Sequence, residues 1–136
     1  MKISYDADTM QYSAMFETLT QTRLKDCFKE EDSIVFVVMP GFMAQAIGKH
    51  GINIKKIGDA VKKNIKVIEF NPDIQIFLYN LIRVEGIDIV QNDKQIIIKC
   101  PDVRTKGLVY GRDRERLKRV TEITKKYFPI ESIRVE

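Results

Sequence analysis

Tryptophan is absent from this 136-residue chain, histidine occurs once and cysteine only twice. With His50 alone, and no serine or cysteine in a recognisable activating context, a nucleophile-and-base catalyst lacks its materials. Cys27 and Cys100 stand far apart and form no C-x-x-C pair, which removes support for a metal knuckle or redox motif. Both are expected to be reduced, buried small hydrophobes. No apolar run approaches the roughly 18 residues of a membrane span, and the opening "MKISYDADTM" turns acidic where a signal segment would be apolar. The expectation is a soluble, cytoplasmic protein that is not an enzyme and uses no metal or cofactor.

What is present is a well-supplied core, 44% hydrophobic residues, and a net charge of +4 that is unevenly laid out. Residues 1–48 sum to −3, whereas residues 49–66 hold six basic side chains against one acidic. Residues 67–103 return to −3, and residues 104–126 hold nine basic against three acidic. Two basic islands of this kind suit a protein that reads a polyanion, although solvated helix faces also cluster lysines.

Each island begins at a glycine. A shift of 63 residues lays "IGKHGINIKKIGDAVKK" over "YGRDRERLKRVTEITKK", pairing Lys49 with Arg112, Ile54 with Leu117, Lys55 with Lys118, Lys56 with Arg119 and Ile57 with Val120. Matched apolar and basic positions at one offset indicate two copies of one unit.

Periodicity gives each copy the same element order. Tyr12, Met15, Phe16 and Leu19 make one face of a helix over 7–20, followed by strands "TRLKDCF" and "SIVFVVM" joined at the charged turn "KEED". A short helix over "FMAQAI" leads into "GKHG", then a helix burying Ile54, Ile57 and Val61, then the strand "IKVIEF". In the second copy Asn71 is placed to cap, with Pro72 at a first helical position, ahead of the stripe Ile74, Phe77, Leu78, Leu81. Strands over "VEGIDIV" and "QIIIKC", a helix over 103–110, "GRDR", a helix burying Leu117, Val120, Ile123 and Tyr127, and "SIRV" complete it. The order is α-β-β-α-α-β twice. With no Gly/Ser-rich linker, and units of only ~60 residues, the copies are expected to pack as one compact unit.

The loop "GKHG" is not a nucleotide-binding P-loop, because Gly41 lies too far before Gly48 and His50 stands where Ser or Thr would reach magnesium. Between two helices it suits a sugar-phosphate backbone instead. Gly48 and Gly51 remove side chains that would hold the strand off, and the following helix offers free N–H groups and the positive end of its dipole. Lys49 adds a mobile cation, and Ile47, Ile52 and Ile54 are placed to line an apolar groove. His50 reads either as a phosphate contact or as an exposed loop tip. This is the pattern of the GXXG loop of KH domains, which clamp about four nucleotides of a single strand.

At this length of match the resemblance becomes specific. "DCFKEEDSIVFVVMPGFMAQAIGKHGINIKKIG" with "IKVIEF", and then "KGLVYGRDRERLKRVTEITKKYFPIESIRV", resemble the two KH domains of the archaeal NusA-like transcription factors over nearly the whole chain. The resemblance implies an α+β chain of two tandem type II KH domains, residues 1–70 with the loop 48–51 and residues 71–136 with the loop 111–114. It implies binding of single-stranded nascent RNA in transcription termination, antitermination or elongation control. The first site would comprise Ile47, Gly48, Lys49, His50, Gly51, Ile54, Lys55 and Lys56. RNA polymerase is a further candidate partner, although the chain has no room for the polymerase-binding and S1 domains of longer bacterial relatives. The competing reading is a protein-interaction adaptor docking on polymerase or ribosome components.

The second loop departs from the pattern. Arg114 replaces the second glycine, Tyr110 replaces the aliphatic residue before Gly111, and Asp113 is placed to cap the next helix and cover its amides. The first loop is therefore expected to be the principal clamp. Arg112, Arg114, Arg116, Lys118 and Arg119 form either a side-chain rail for the strand or a solvated face. Tyr110 is the one aromatic placed to stack on a base.

Overall fold

The computed structural model describes residues 7–136, in two compact units that divide between Asn71 and Pro72. In the first, α1 (Ala7–Thr20) precedes a hairpin of β1 (Leu24–Glu30) and β2 (Ser33–Val38). Then come α2 (Met43–Ile47), a single 3-10 turn over Lys49–Gly51, α3 (Ile52–Val61) and β3 (Asn64–Glu69). The second repeats the order: α4 (Ile74–Ile82), β4 (Asp88–Asn92), β5 (Gln95–Lys99), α5 (Val103–Tyr110), a 3-10 turn over Arg112–Arg114, α6 (Glu115–Tyr127) and β6 (Ser132–Val135). No helix of the described residues is long and apolar enough to cross a membrane.

Each sheet has three strands, with the second in the middle. β2 is antiparallel to β1 and parallel to β3, in register Ser33 opposite Asn64; β5 is antiparallel to β4 and parallel to β6, Gln95 opposite Ser132. The parallel pair needs a crossover, and α2, the loop and α3 are that crossover, as α5 and α6 are in the second sheet. The glycine loops thus sit midway in crossovers whose ends are fixed by strand pairing.

The β-branched run "SIVFVV" becomes a central strand with all six residues buried, as expected where both faces are covered. On the helical side Ile34, Phe36 and Val38 pack with Phe16, Cys27, Ala46, Ile57 and Val61. Phe16 stacks on Phe36 with ring centroids 4.3 Å apart. In the second unit Ile74, Phe77, Leu78 and Leu81 are buried with Ile96, Ile98, Val120 and Ile123, and Phe77 meets Phe128 at 5.7 Å.

Several boundaries differ from those read off the sequence. Leu19, counted in the apolar stripe of α1, is exposed; that helix buries Thr9, Phe16 and Thr20. The β1–β2 turn is only Glu31–Asp32, because Glu30 remains in β1, buried, with Lys66 Nζ 3.0 Å away. The α4 cap is Asp73, whose carboxylate accepts from Gln75 N at 2.9 Å and Ile76 N at 3.3 Å, so Asn71 and Pro72 lie before the cap. β4 begins at Asp88, since the turn around Gly86 (φ +83) occupies the start of the expected strand. Leu117 and Tyr127 are half-buried, and Cys100 is half-buried where Cys27 is fully enclosed.

Exposed Tyr79 has a structural role. Its hydroxyl accepts from Ile89 N at 3.0 Å, while Gln75 Nε2 donates to Ile89 O at 3.0 Å. Both backbone groups of Ile89 are thereby taken up by side chains, as Glu17 takes up Leu24 N of β1 at 2.9 Å.

Candidate nucleic-acid interface

α2 ends when Gly48 takes φ 79°, ψ 170°, a region essentially closed to any residue with a Cβ. The same conformation recurs at Gly111, φ 70°, ψ 179°. His50 (φ 57°, ψ 27°) and Gly51 (φ 72°, ψ 20°) are left-handed, and so are Asp113 (φ 52°, ψ 29°) and Arg114 (φ 60°, ψ 16°). A turn hydrogen bond closes each loop, Gly51 N to Gly48 O at 3.1 Å and Arg114 N to Gly111 O at 3.2 Å. The two loops share one backbone, and differ in what hangs from it.

Around the first loop the way in is clear. A Cβ built on Gly51 would meet nothing within 4 Å, and the α3 N-terminus carries no side-chain cap. Lys49, His50, Lys55 and Lys56 are exposed around those amides, whose positive dipole end favours an anion. Ile52 is exposed, while Ile47 and Ile54 are half-buried, and of the three isoleucines expected to line a groove only Ile54 lines the one beside α3.

Ile54 borders a groove of about 1170 Å³ beside α3. Its lining includes apolar Ile54 and Ile65 with Gly58, the basic Lys55, Lys62 and Lys63, the acidic turn residues Glu31 and Asp32, and the Lys66–Glu30 ion pair. Of these only Ile54 and Lys55 belong to the site expected from the sequence. Gly58 lies on α3, Lys62 and Lys63 in the α3–β3 turn, where Lys62 is left-handed (φ 58°), and the others are brought in by strand pairing that single-sequence periodicity does not locate.

Around the second loop the expected acidic cap is not formed. Asp113 lies inside the 3-10 turn, Arg114 is the N-cap residue of α6, and no side chain caps that helix. Asp113 is left-handed, so its carboxylate is carried away from the amides that an extended N-cap residue would reach. Arg114 places its guanidinium over the Tyr110 ring, 4.7 Å from the centroid, which covers a face that a base would use. Arg116 is not free either: Nη1 donates to Leu108 O at 3.1 Å and Nη2 to Ile82 O. Arg112 and Lys118 are exposed, and Arg119 is half-buried.

Burial pushes the Cys27 thiol up to about 11, far from a reactive thiolate. Among the described residues no group of three or more His, Cys, Asp or Glu side chains is arranged to hold a metal ion.

An α-β-β-α-α-β unit with a glycine loop between its paired helices defines a class of small nucleic-acid-binding folds. The family model described as "KH domain" matches residues 11–86, and the chain belongs to that family. It is 28% identical to the "Probable transcription termination protein NusA" of Thermoplasma acidophilum over 99% of this chain and 96% of that protein. The protein of the same description from Halococcus morrhuae is 24% identical, covering 98% of each chain. Among solved structures, the crystal structure of APE1850 is 26% identical and superposes with a TM-score of 0.66, covering 97% of this chain and all of that one.

Proposed function

We propose that this chain is a single-stranded RNA-binding protein of the NusA-like class. In this reading it acts on nascent transcripts in termination or elongation control, with the Gly48–Gly51 loop as its principal clamp. The observation that carries the reading is the open approach at Gly51 to an uncapped α3 N-terminus, with exposed Lys49 and His50 just before it and exposed Lys55 and Lys56 in the first turns of α3. The full-length similarity to archaeal proteins named for transcription termination supports the process.

Mechanistically, phosphates sit on the α3 amides while Gly48 and Gly51 let the backbone approach, and bases turn toward Ile54 and the groove beyond it. Exposed Glu31 and Asp32 at the groove's rim repel phosphate, which limits how far the strand follows α3. The second unit supplies Arg112, Arg114, Lys118 and Arg119 as side-chain contacts. Its loop is the weaker site because Asp113 sets a negative charge where the first loop has His50.

Binding of a fluorescent single-stranded RNA pool across a salt series tests this. Four neutralised phosphates give a log–log slope of about −2.8, and Lys49→Asp/His50→Asp, which keeps both glycines, abolishes most of the affinity. Equal binding by the two proteins, or a flat slope, rejects the clamp and favours docking on a protein partner.

A further inference from the structure

We infer that Gln45 and Asn53 together form a strut that fixes the first loop, and that Arg116 replaces both residues in the second unit. The inference deepens the clamp reading and rests on it for its affinity readout. Gln45 Nε2 donates to Thr20 O at 3.2 Å and Gln21 O at 2.9 Å, at the end of α1. Asn53 Nδ2 donates to Gln45 O at 3.2 Å, in the last turn of α2. Three helices are tied through one glutamine.

In the second unit Arg116 stands 63 positions after Asn53, and Leu108 the same distance after Gln45. Leu108 has no side-chain donor, so the tie from the middle helix is missing. Arg116 makes it from the other side: one fork of its guanidinium reaches Leu108 O, the other reaches Ile82 O, at the end of α4. Comparable stations, the carbonyl at the end of the first helix (Thr20 or Ile82) and the carbonyl in the short helix (Gln45 or Leu108), are joined by one long planar donor where the first unit uses two short amides.

The first glycine of each loop lies against the strut residue. A Cβ on Gly48 would lie 2.8 Å from Asn53 Nδ2, and one on Gly111 would lie 2.5 Å from Arg116 Cβ. Because α2 has five residues, far too few to hold itself, its angle to α3 depends on such ties. An anion site made of backbone amides binds well only if those amides are already aimed.

Two variants of the full chain test the strut, each read by amide hydrogen exchange and by RNA binding. Gln45→Ala/Asn53→Ala leaves every charge in place; exchange at Gly51 and Ile52 is expected to quicken and RNA affinity to fall by about tenfold, with the salt slope unchanged. Gln45→Leu/Asn53→Arg transplants the second unit's solution and is expected to restore both to within about threefold of wild type. If the alanine pair does not fold, the transplant decides: a folded, protected loop supports the strut, and an unfolded one overturns it. Wild-type exchange in the alanine pair overturns it also, as does a transplant whose slope steepens by about 0.7, since the arginine then contacts phosphate itself. Failure of wild type to bind RNA defeats the clamp reading alone, because the exchange readout still decides the strut.

Discussion

Gly51 and Arg114 hold the same left-handed backbone, φ 72° and ψ 20° against φ 60° and ψ 16°. A glycine is therefore not required there for folding, and the left-handed region charges a side chain only about 1–2 kcal/mol. Gly48 and Gly111 are different, because their ψ values near 180° at positive φ belong to glycine alone. Second-loop degeneracy falls at the position where degeneracy is tolerable.

Urea unfolding of two alanine variants checks that distinction. Gly51→Ala meets open space and is expected to cost about 1 kcal/mol. Gly48→Ala meets Asn53 and Ile52 as well as a forbidden backbone, and is expected to cost roughly 2–4 kcal/mol. Equal costs would contradict the roles assigned to the two glycines.

Capping gives a second contrast. Asp73→Ala removes an acceptor from two α4 amides and is expected to lose about 1 kcal/mol in denaturant unfolding. Asn71→Ala, before the cap, is expected to lose far less. A larger loss at Asn71 would restore the cap the sequence suggested.

Asp102 supplies a pH test. Hydrogen bonds from Thr105, side chain and backbone, hold its carboxyl below the ordinary value of 3.8. A carboxyl lowered in the folded state contributes stability that is present above the unfolded value and lost as pH falls through the folded one. Thermal unfolding of wild type and Asp102→Asn is therefore expected to converge as pH drops below about 4. A constant difference between the two across that range would show that the cap works without its charge.

Thiol chemistry reports on the core. With Cys27 pushed up to about 11 inside the first-unit core and Cys100 half-buried after β5, a thiol reagent near pH 8 is expected to label Cys100 first. Cys27 is expected to react only at the rate of unfolding. Native-state labelling of Cys27 at the rate of Cys100 would contradict its burial.

Much of the fold was legible because its signals are local. The stripe from Ile74 to Leu81, the β-branched run of β2 and the glycine between helices each carry their own periodicity or breaker. The 63-residue offset was equally plain, and it is the offset on which Asn53 and Arg116 coincide. What escaped was set by conformation or by distance. Asp113 resembles an N-cap in one dimension, but its left-handed backbone withdraws the carboxylate. Arg116 belongs to a run of cations, and only the approach of Leu108 and Ile82 shows it bound to carbonyls. Gln45 and Asn53 carry no motif; the sole hint was a polar residue at each position of the aligned repeat, apart from Leu108.

The most direct measurement is a ¹H–¹⁵N titration of the intact chain with a short single-stranded RNA. Clamping by the first loop predicts the largest shifts at the amides of Gly48 to Ile54, with groove residues Gly58 and Ile65 following and the Arg112–Arg114 amides moving less. Shifts centred on the second loop, or none at the first, would contradict the account.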